Sequence, residues 1–466
     1  MDDNARQMLA AVQLAPPSSL LCPDYLYAEL TQALPGAEVV PYCARGMLEG
    51  ALPAMVVVHK GQMRGLGRAL LRQILEGMEP VLANPVFVVF RQPQPEAAPL
   101  PPEQEAHIGV LREFAAGADT PRRVSGAKRA AIVSAYGVGN VGDDAVSLSG
   151  ALMAKAVGCT EITYTGPAGR VHDLPDLSLV MVSGGGLIYD RDYQGRPDVE
   201  NIGNYTTPLA VAREMGIPSA VLGIGVQGIH TALGAAAYRH GLAQADLLTV
   251  RDTGDQAVLE QLLGREVPLT ADLAFALPSL LPAPAARLHR PLDAKPLAIL
   301  ALAGSMGGFD GMPGGFATFL QRLAMALSRT HEVVLAQHAT DDARVYRQVA
   351  TATGAGLKVL PNMGPERSLE FFRQAELVVT SRYHGLIFGL LAGARVLPIG
   401  DGGGKIGRLV AQRLPSLEGH TLFVSGQITE SPEAILALPG RADPAEVEAC
   451  IAAAMANMDL LSGIVR

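Results

Sequence analysis

Glu376-Leu377-Val378-Val379-Thr380, then Ser381-Arg382-Tyr383-His384, then Gly385-Leu386-Ile387-Phe388-Gly389-Leu390-Leu391-Ala392-Gly393: the reading of this stretch decides the fold. The first run is short and apolar, and it predicts a buried strand. The second is apolar on all sides and predicts a helix packed on both faces. The tetrad between them therefore sits at the carboxyl end of a strand, where a helix begins. Ligands of open α/β sheets bind along that edge. Helix-start amides favour an anion there, and Ser381 is a residue type that caps them. Arg382 and His384 projecting from such a turn suit a small, doubly charged phosphate ester. The competing reading is that Arg382 pairs with a surface acid and His384 only packs.

Outward from this point the same rhythm of strand, glycine-rich turn and helix recurs. Strands are expected at 297–302, 333–337, 357–359 and 395–399 around the tetrad's own strand at 377–380. An earlier series is expected at 131–135, 161–165, 177–182, 219–224 and 247–250, with a helix at 143–157. Strands alternating with helices imply parallel sheets with right-handed crossovers. The expected class is α/β, with two doubly wound, Rossmann-like domains at 128–280 and 296–420 facing each other across a cleft. Residues 1–92 read as a small α/β accessory module, with helices at 25–34 and 68–77 and strands at 38–43, 55–59 and 85–91. Residues 93–127 read as a Pro-, Gln- and Ala-rich linker with a short helix, and 421–466 as a helical tail.

A chain of 466 residues is too long for one ordinary core, and 49% AVILMFWYC is a globular composition. The net charge of −8, with basic residues scattered, argues against a nucleic-acid surface and a polybasic membrane patch. Cys22, Cys43, Cys159 and Cys450 lie far apart without a C-x-x-C pair. They suggest neither a disulfide framework nor a zinc site. Met1-Asp2-Asp3 lacks the basic start of a signal peptide, and no apolar run is read as long enough to span a bilayer. The expectation is a cytoplasmic protein without a membrane span, at most peripheral to a membrane pathway. The sequence does not set its oligomeric state.

Gly137, Gly139 and Gly142 match G-x-G-x-x-G. Asp143 and Asp144, however, occupy the helix start where a pyrophosphate would sit, and the second strand ends in Tyr164-Thr165-Gly166 without a ribose-binding acid. The loop fits a neutral, hydroxyl-rich ligand better, with Asp143 or Asp144 accepting its hydrogen bonds; alternatively both acids serve the helix dipole. Ser183-Gly184-Gly185-Gly186, followed by Tyr189, and Gly223-Ile224-Gly225-Val226-Gln227-Gly228 end two further strands. Three glycine-rich turns on one sheet edge suggest one continuous cleft. Arg251-Asp252 reads as a structural salt bridge or a substrate contact. Gly400-Asp401-Gly402-Gly403-Gly404-Lys405 departs from a Walker loop at Ile399 and Ile406, yet Lys405 is a candidate cation for the anion that Arg382 holds. No H-E-x-x-H or G-x-S-x-G is present, so metal or serine hydrolysis is not indicated.

Taken in order, the Tyr136-to-Asp143 loop, Ser183-Gly-Gly-Gly, the Gly223-to-Gly228 turn, Arg251-Asp252, Ala271-Asp272-Leu273-Ala274-Phe275 and Ser381-Arg382-Tyr383-His384 resemble the polysaccharide pyruvyl transferase family over about residues 130–410. The resemblance implies a GT-B-like pair of Rossmann-like halves. It also implies pyruvyl transfer from phosphoenolpyruvate to two hydroxyls of a glycan or lipid-linked sugar in envelope or exopolysaccharide synthesis, with phosphate released. Phosphoenolpyruvate is then a substrate, and neither a cofactor nor a metal is called for. The family's Ser-Arg-Leu-His motif falls on Ser381, Arg382, Tyr383 and His384, with Tyr in place of Leu, and its downstream Lys on Lys405. The donor side would be Ser381, Arg382, His384, Lys405, Gly304 and Ser305, the last two standing where many relatives carry an Arg. The acceptor side would be Gly139, Asn140, Asp143, Asp144, Gly185, Tyr189 and Gln227. His384 is the expected general acid, Arg382 the fork for phosphate or carboxylate, and Asp143 the group that hydrogen-bonds or deprotonates a sugar hydroxyl. The rivals are a nucleotide-sugar glycosyltransferase, with Arg382 and Lys405 on a diphosphate, and a sugar-binding relative without the chemistry.

Overall fold

Apolar runs separated by glycine-rich turns form three main sheets in the computed structural model. The structure describes residues 2–465 except 49, 96–99, 118–127, 167–170, 172–173, 175, 193, 283–293, 304–314, 354–356, 401 and 424–431. The amino-terminal sheet holds β1 (Ser19–Cys22), β2 (Glu38–Pro41), β3 (Met55–His59), β4 (Glu79–Ala83) and β5 (Phe87–Arg91). Its order is β2-β1-β3-β5-β4, with β1 parallel to β2 and β3, and β5 antiparallel to β3 and β4. The strand expected at 38–43 stops at Pro41, because Tyr42–Leu48 turns into a 3₁₀ helix in which the Cys43 N–H donates to Asp24.

The middle sheet holds β6 (Arg129–Val133), β7 (Glu161–Thr165), β8 (Leu177–Ser183), β10 (Ser219–Ile224) and β12 (Leu247–Val250). Two short strands, β9 (Ile188–Tyr189) and β11 (Val226–Gly228), pair with each other beside it. All five strands of the middle sheet run parallel, in the order β12-β10-β8-β6-β7. The carboxyl-terminal sheet holds β13 (Leu297–Ala301), β14 (Glu332–Ala336), β15 (Lys358–Leu360), β16 (Ala375–Thr380), β17 (Arg395–Gly400) and β18 (Leu422–Phe423). It too is parallel, in the order β15-β14-β13-β16-β17-β18. Each sheet reverses its winding once, between β6 and β8 and between β13 and β16. A crevice opens beyond the strand ends at such a point. Residues at the two crevices line one cavity, so the protein is α/β with two doubly wound domains facing each other across a cleft.

What holds the crevices together is shared core. Ile132, Met181 and Leu222 of the middle sheet belong to one apolar cluster with Ile299, Val378 and Phe388 of the carboxyl-terminal domain. Cys450, Ala454 and Leu461, on the last helix Pro444–Ile464, join the same cluster. This helix corrects one sequence expectation. At 21 residues it is long and apolar enough, by length and composition, to cross a membrane. Alanine and methionine make it apolar nearly all round, so its composition hides that one face lies against the middle domain. Buried Asn457 marks that face, accepting a hydrogen bond from the Thr249 hydroxyl.

Candidate active site

A cavity of about 450 Å³ lies between the two crevices. Asn140, Asp143, Tyr189, Gln227 and Arg251 line it from the middle domain, and His338, Ser381, Arg382, His384 and Lys405 from the carboxyl-terminal domain.

The tetrad is thrown into the cavity by a tight turn after β16. Thr380 Oγ1 accepts the Arg382 N–H, while the Ser381 N–H donates to the Ala301 carbonyl of the neighbouring strand. Ser381 does not cap the following helix as expected. Its Oγ instead accepts the Ala303 N–H at 2.8 Å, and Arg382 is the residue at the helix boundary, without a side-chain cap. Position 381 is one residue too early to reach the helix's first amides.

His384 reaches across the cleft. Its imidazole lies against Gly142 in the first turn of the helix Val141–Ala156, where any Cβ would overlap the ring. Its Nε2 is 3.5 Å from Oδ1 of Asp272, which is wholly buried and also accepts Arg251 Nη1 at 2.9 Å. Burial pushes the Asp272 carboxyl up, but His384 and Arg251 outweigh it and hold the group well below the usual carboxylate range.

Arg382 requires a correction. Its Nε donates to Asp342 at 3.1 Å, and its Nη2 donates to Asp342 and to Asp341. The guanidinium borders the cavity, but the edge expected to hold an anion is turned onto two carboxylates of its own domain. Asp342 is buried, so the rival reading of a pairing acid holds, though with a core acid and not only a surface one.

Arg251 is likewise held by acids of its own domain. The salt bridge expected with Asp252 is absent; Asp252 caps the helix Thr253–Leu263 and accepts Arg408 Nε at 3.2 Å. Arg251 is buried with its guanidinium against Gly225 and 4.7 Å over the Tyr383 ring. Its Nη2 has no hydrogen-bond partner among the described residues. Two buried acids, Asp272 and, at 3.7 Å, Asp255, flank the guanidinium, and its only sequence signal was a lone Arg at a strand end beside glycine-rich turns. Lys405, at the start of the helix Lys405–Arg413, adds a second cation, and burial pulls its ammonium down to about 8.

The acceptor-side residues separate. Asp143 lines the cavity, and burial pushes its carboxyl up despite His384 and Lys405. Asn140 lines it while its Oδ1 caps the helix by accepting the Gly142 N–H at 3.0 Å. Tyr189 and Gln227 also line it, the latter donating to the Gly186 carbonyl. Gly185 lies behind Asp143. Asp144 is corrected: it is not among the lining residues, and its Oδ1 accepts the Gly137 N–H at 2.8 Å, fixing the glycine-rich loop. Gly139 packs towards Thr340 of the other domain and does not line the cavity. Gly304 and Ser305 fall outside the described residues. Asp272 stood out in the sequence only within the Ala271-to-Phe275 motif, with no role assigned, and His338 carried no site reading, since nothing local distinguishes a strand-end His from core. Among the described residues no group of His, Cys, Asp and Glu is arranged to hold a metal ion.

A family model described as polysaccharide pyruvyl transferase matches residues 82–402. No curated protein matches the chain in sequence. Among solved structures it resembles UDP-GlcNAc 2-epimerase from Methanocaldococcus jannaschii, at 10% identity and TM-score 0.45 over 72% of this chain and 99% of that one. MurG of Acinetobacter baumannii matches at 13% identity and TM-score 0.36 over 72% and 100%. E. coli ADP-heptose lps heptosyltransferase II matches at 14% identity and TM-score 0.31 over 70% and 98%. Likenesses this distant bear on neither the reaction nor the ligand.

Proposed function

The chain belongs to the polysaccharide pyruvyl transferase family, and on that premise we propose that it moves the pyruvyl group of phosphoenolpyruvate onto two hydroxyls of a sugar, forming a ketal and releasing phosphate. The observation that carries this reading is the convergence in one cavity of two cations, Arg251 and Lys405, a histidine, His384, and a carboxylate, Asp143. A donor with a phosphate and a carboxylate needs the cations. An enol ether needs a proton at carbon, and an attacking hydroxyl needs an acceptor for its own proton.

Arg251 and Lys405 would take the donor's anionic oxygens, with Arg382 as the frame that Asp342 holds in place. His384 would protonate C3 of the donor, leaving C2 oxocarbenium-like. The first sugar hydroxyl then bonds to C2 and gives its proton to Asp143. The C2–O bond to phosphate breaks, phosphate keeping the electron pair and taking the proton that Asp143 had accepted, and the second hydroxyl closes the ketal as its proton restores His384. Preorganised charge in a buried cavity is the main source of rate for such a step. The acceptor sugar, free or lipid-linked, would enter past Asn140, Tyr189 and Gln227.

The test is incubation with phosphoenolpyruvate and a panel of free and lipid-linked glycans, following released phosphate and the mass gain of one pyruvyl ketal. His384→Ala should abolish phosphate release without lowering the thermal midpoint; wild-type turnover in that variant removes His384 from the mechanism. Tight binding of UDP- or GDP-sugars with none of phosphoenolpyruvate would replace this reading by glycosyl transfer.

A further inference from the structure

His338 lies just beyond the carboxyl end of β14, next to the strand at which the carboxyl-terminal sheet reverses. It lines the cavity beside Arg382 and His384. Its side chain is 2% exposed, and neither Nδ1 nor Nε2 has a hydrogen-bond partner among the described residues. Its backbone is fully used: the His338 N–H donates to Asp342, and the His338 carbonyl accepts the Val141 N–H from the facing domain at 2.8 Å. The ring packs against Phe372 and Phe388, with centroids 5.6 and 5.9 Å away, the two phenylalanines also touching each other. A position that served packing alone would be better filled by a third phenylalanine, because buried polar atoms are normally satisfied. Two buried, idle nitrogens on a residue that borders the cavity point to a ligand as the partner.

We propose that His338 is a substrate-contacting residue whose imidazole N–H donates to an anionic oxygen of the bound donor. The inference rests on the phosphoenolpyruvate reading above. Burial, with Arg382 and His384 nearby, keeps this imidazole neutral, so it offers a proton without adding charge. That suits its place: Arg382 is paired with Asp341 and Asp342 and Arg251 with Asp272 and Asp255, which leaves Lys405 to add positive charge from another direction. His338 then adds direction to a site whose cations add strength.

Calorimetric titration of phosphoenolpyruvate into the full-length protein needs no acceptor and tests this directly. His338→Phe keeps an aromatic ring packed against Phe372 and Phe388 and deletes both nitrogens. It should bind phosphoenolpyruvate at least tenfold more weakly than wild type, with a thermal midpoint no lower. His338→Gln, which restores an N–H donor, should recover part of that affinity. Wild-type affinity in His338→Phe overturns the inference alone. So does an equal loss in both variants accompanied by a lowered midpoint, which marks a structural histidine. A wild-type protein that binds no phosphoenolpyruvate brings down the functional reading, and this inference with it.

Discussion

Lys405 pays for its position in proton affinity. Burial is the largest cause of its lowered value, Arg251 and Arg408 push the same way, and Asp143 and Asp255 oppose them. An anionic donor selects the protonated form. Above pH of about 8 the unliganded protein has lost that proton and must take one up in order to bind. Affinity for phosphoenolpyruvate should therefore fall as pH rises through this value, and calorimetry in buffers of different ionisation enthalpy should show proton uptake there. Lys405→Met should bind more weakly at neutral pH and lose the uptake; an unchanged pH profile in that variant would assign the transition elsewhere. Tyr383, which departs from the family's Leu, gains a meaning at the same scale. Its ring supports the Arg251 guanidinium, a contact of about 2 kcal/mol where both groups are desolvated. His384 stood out in the sequence as part of a polar tetrad after an apolar strand, and Lys405 as the cation that closes the glycine-rich loop after β17. Arg382 was legible as a site residue but not in its orientation. Its partners, Asp341 and Asp342, lie some forty positions upstream and meet it only through the β13–β16 crossover.

At the scale of elements, the helix Val141–Ala156 carries the clearest demand on sequence. It must bring its first turn within contact of His384 from the opposite domain, and Gly142 makes that approach possible. Gly142→Ala should leave the helix intact, since alanine is the better helix former. The added methyl must displace the imidazole or part the domains. A misplacement of about 1 Å in a catalytic group costs about 100-fold in turnover. The variant should thus keep its circular dichroism spectrum and lose phosphate release by about that factor; full activity would mean that His384 works in another rotamer. The central strands of both parallel sheets were legible, because each is buried on both faces and reads as an unbroken apolar run, whereas β18, only two residues long, fell in the stretch read as a helical tail. β1 and β4 were not. Ser19–Cys22 is only four residues long, and Glu79–Ala83 opens with Glu and Pro, so neither gives a periodic signal. The glycine-rich loop was read as approaching a ligand. Its outer acid, Asp144, in fact closes the loop on itself, a choice between two adjacent carboxylates that only the helix phase decides.

For the molecule as a whole, the question is whether the two domains fold as one body. Their strands contribute to a single apolar cluster, and the last helix closes it from the far end of the chain. Asn457 sits at that closure. Its Oδ1 accepts the Thr249 hydroxyl at 2.6 Å, that hydroxyl oxygen accepts the Gly223 N–H at 2.8 Å, and the Asn457 amide donates to the Ala454 carbonyl. The chain runs over two hundred residues between the two ends of the first bond, so no local pattern foretells it. Asn457→Ala removes the acceptor and leaves a buried hydroxyl with nowhere to donate, at a cost of about 1–3 kcal/mol. Because the cluster is continuous, that loss should not melt the tail alone. Urea denaturation followed by far-ultraviolet dichroism and by tyrosine fluorescence should show the main transition shift to lower denaturant in both signals together, with an unchanged slope. If the dichroism instead lost a helix-sized step at low urea while tyrosine emission held, the tail would be a separable appendage. The cleft would then depend on the cross-domain contacts at Gly142 and Arg408 without support from the end of the chain.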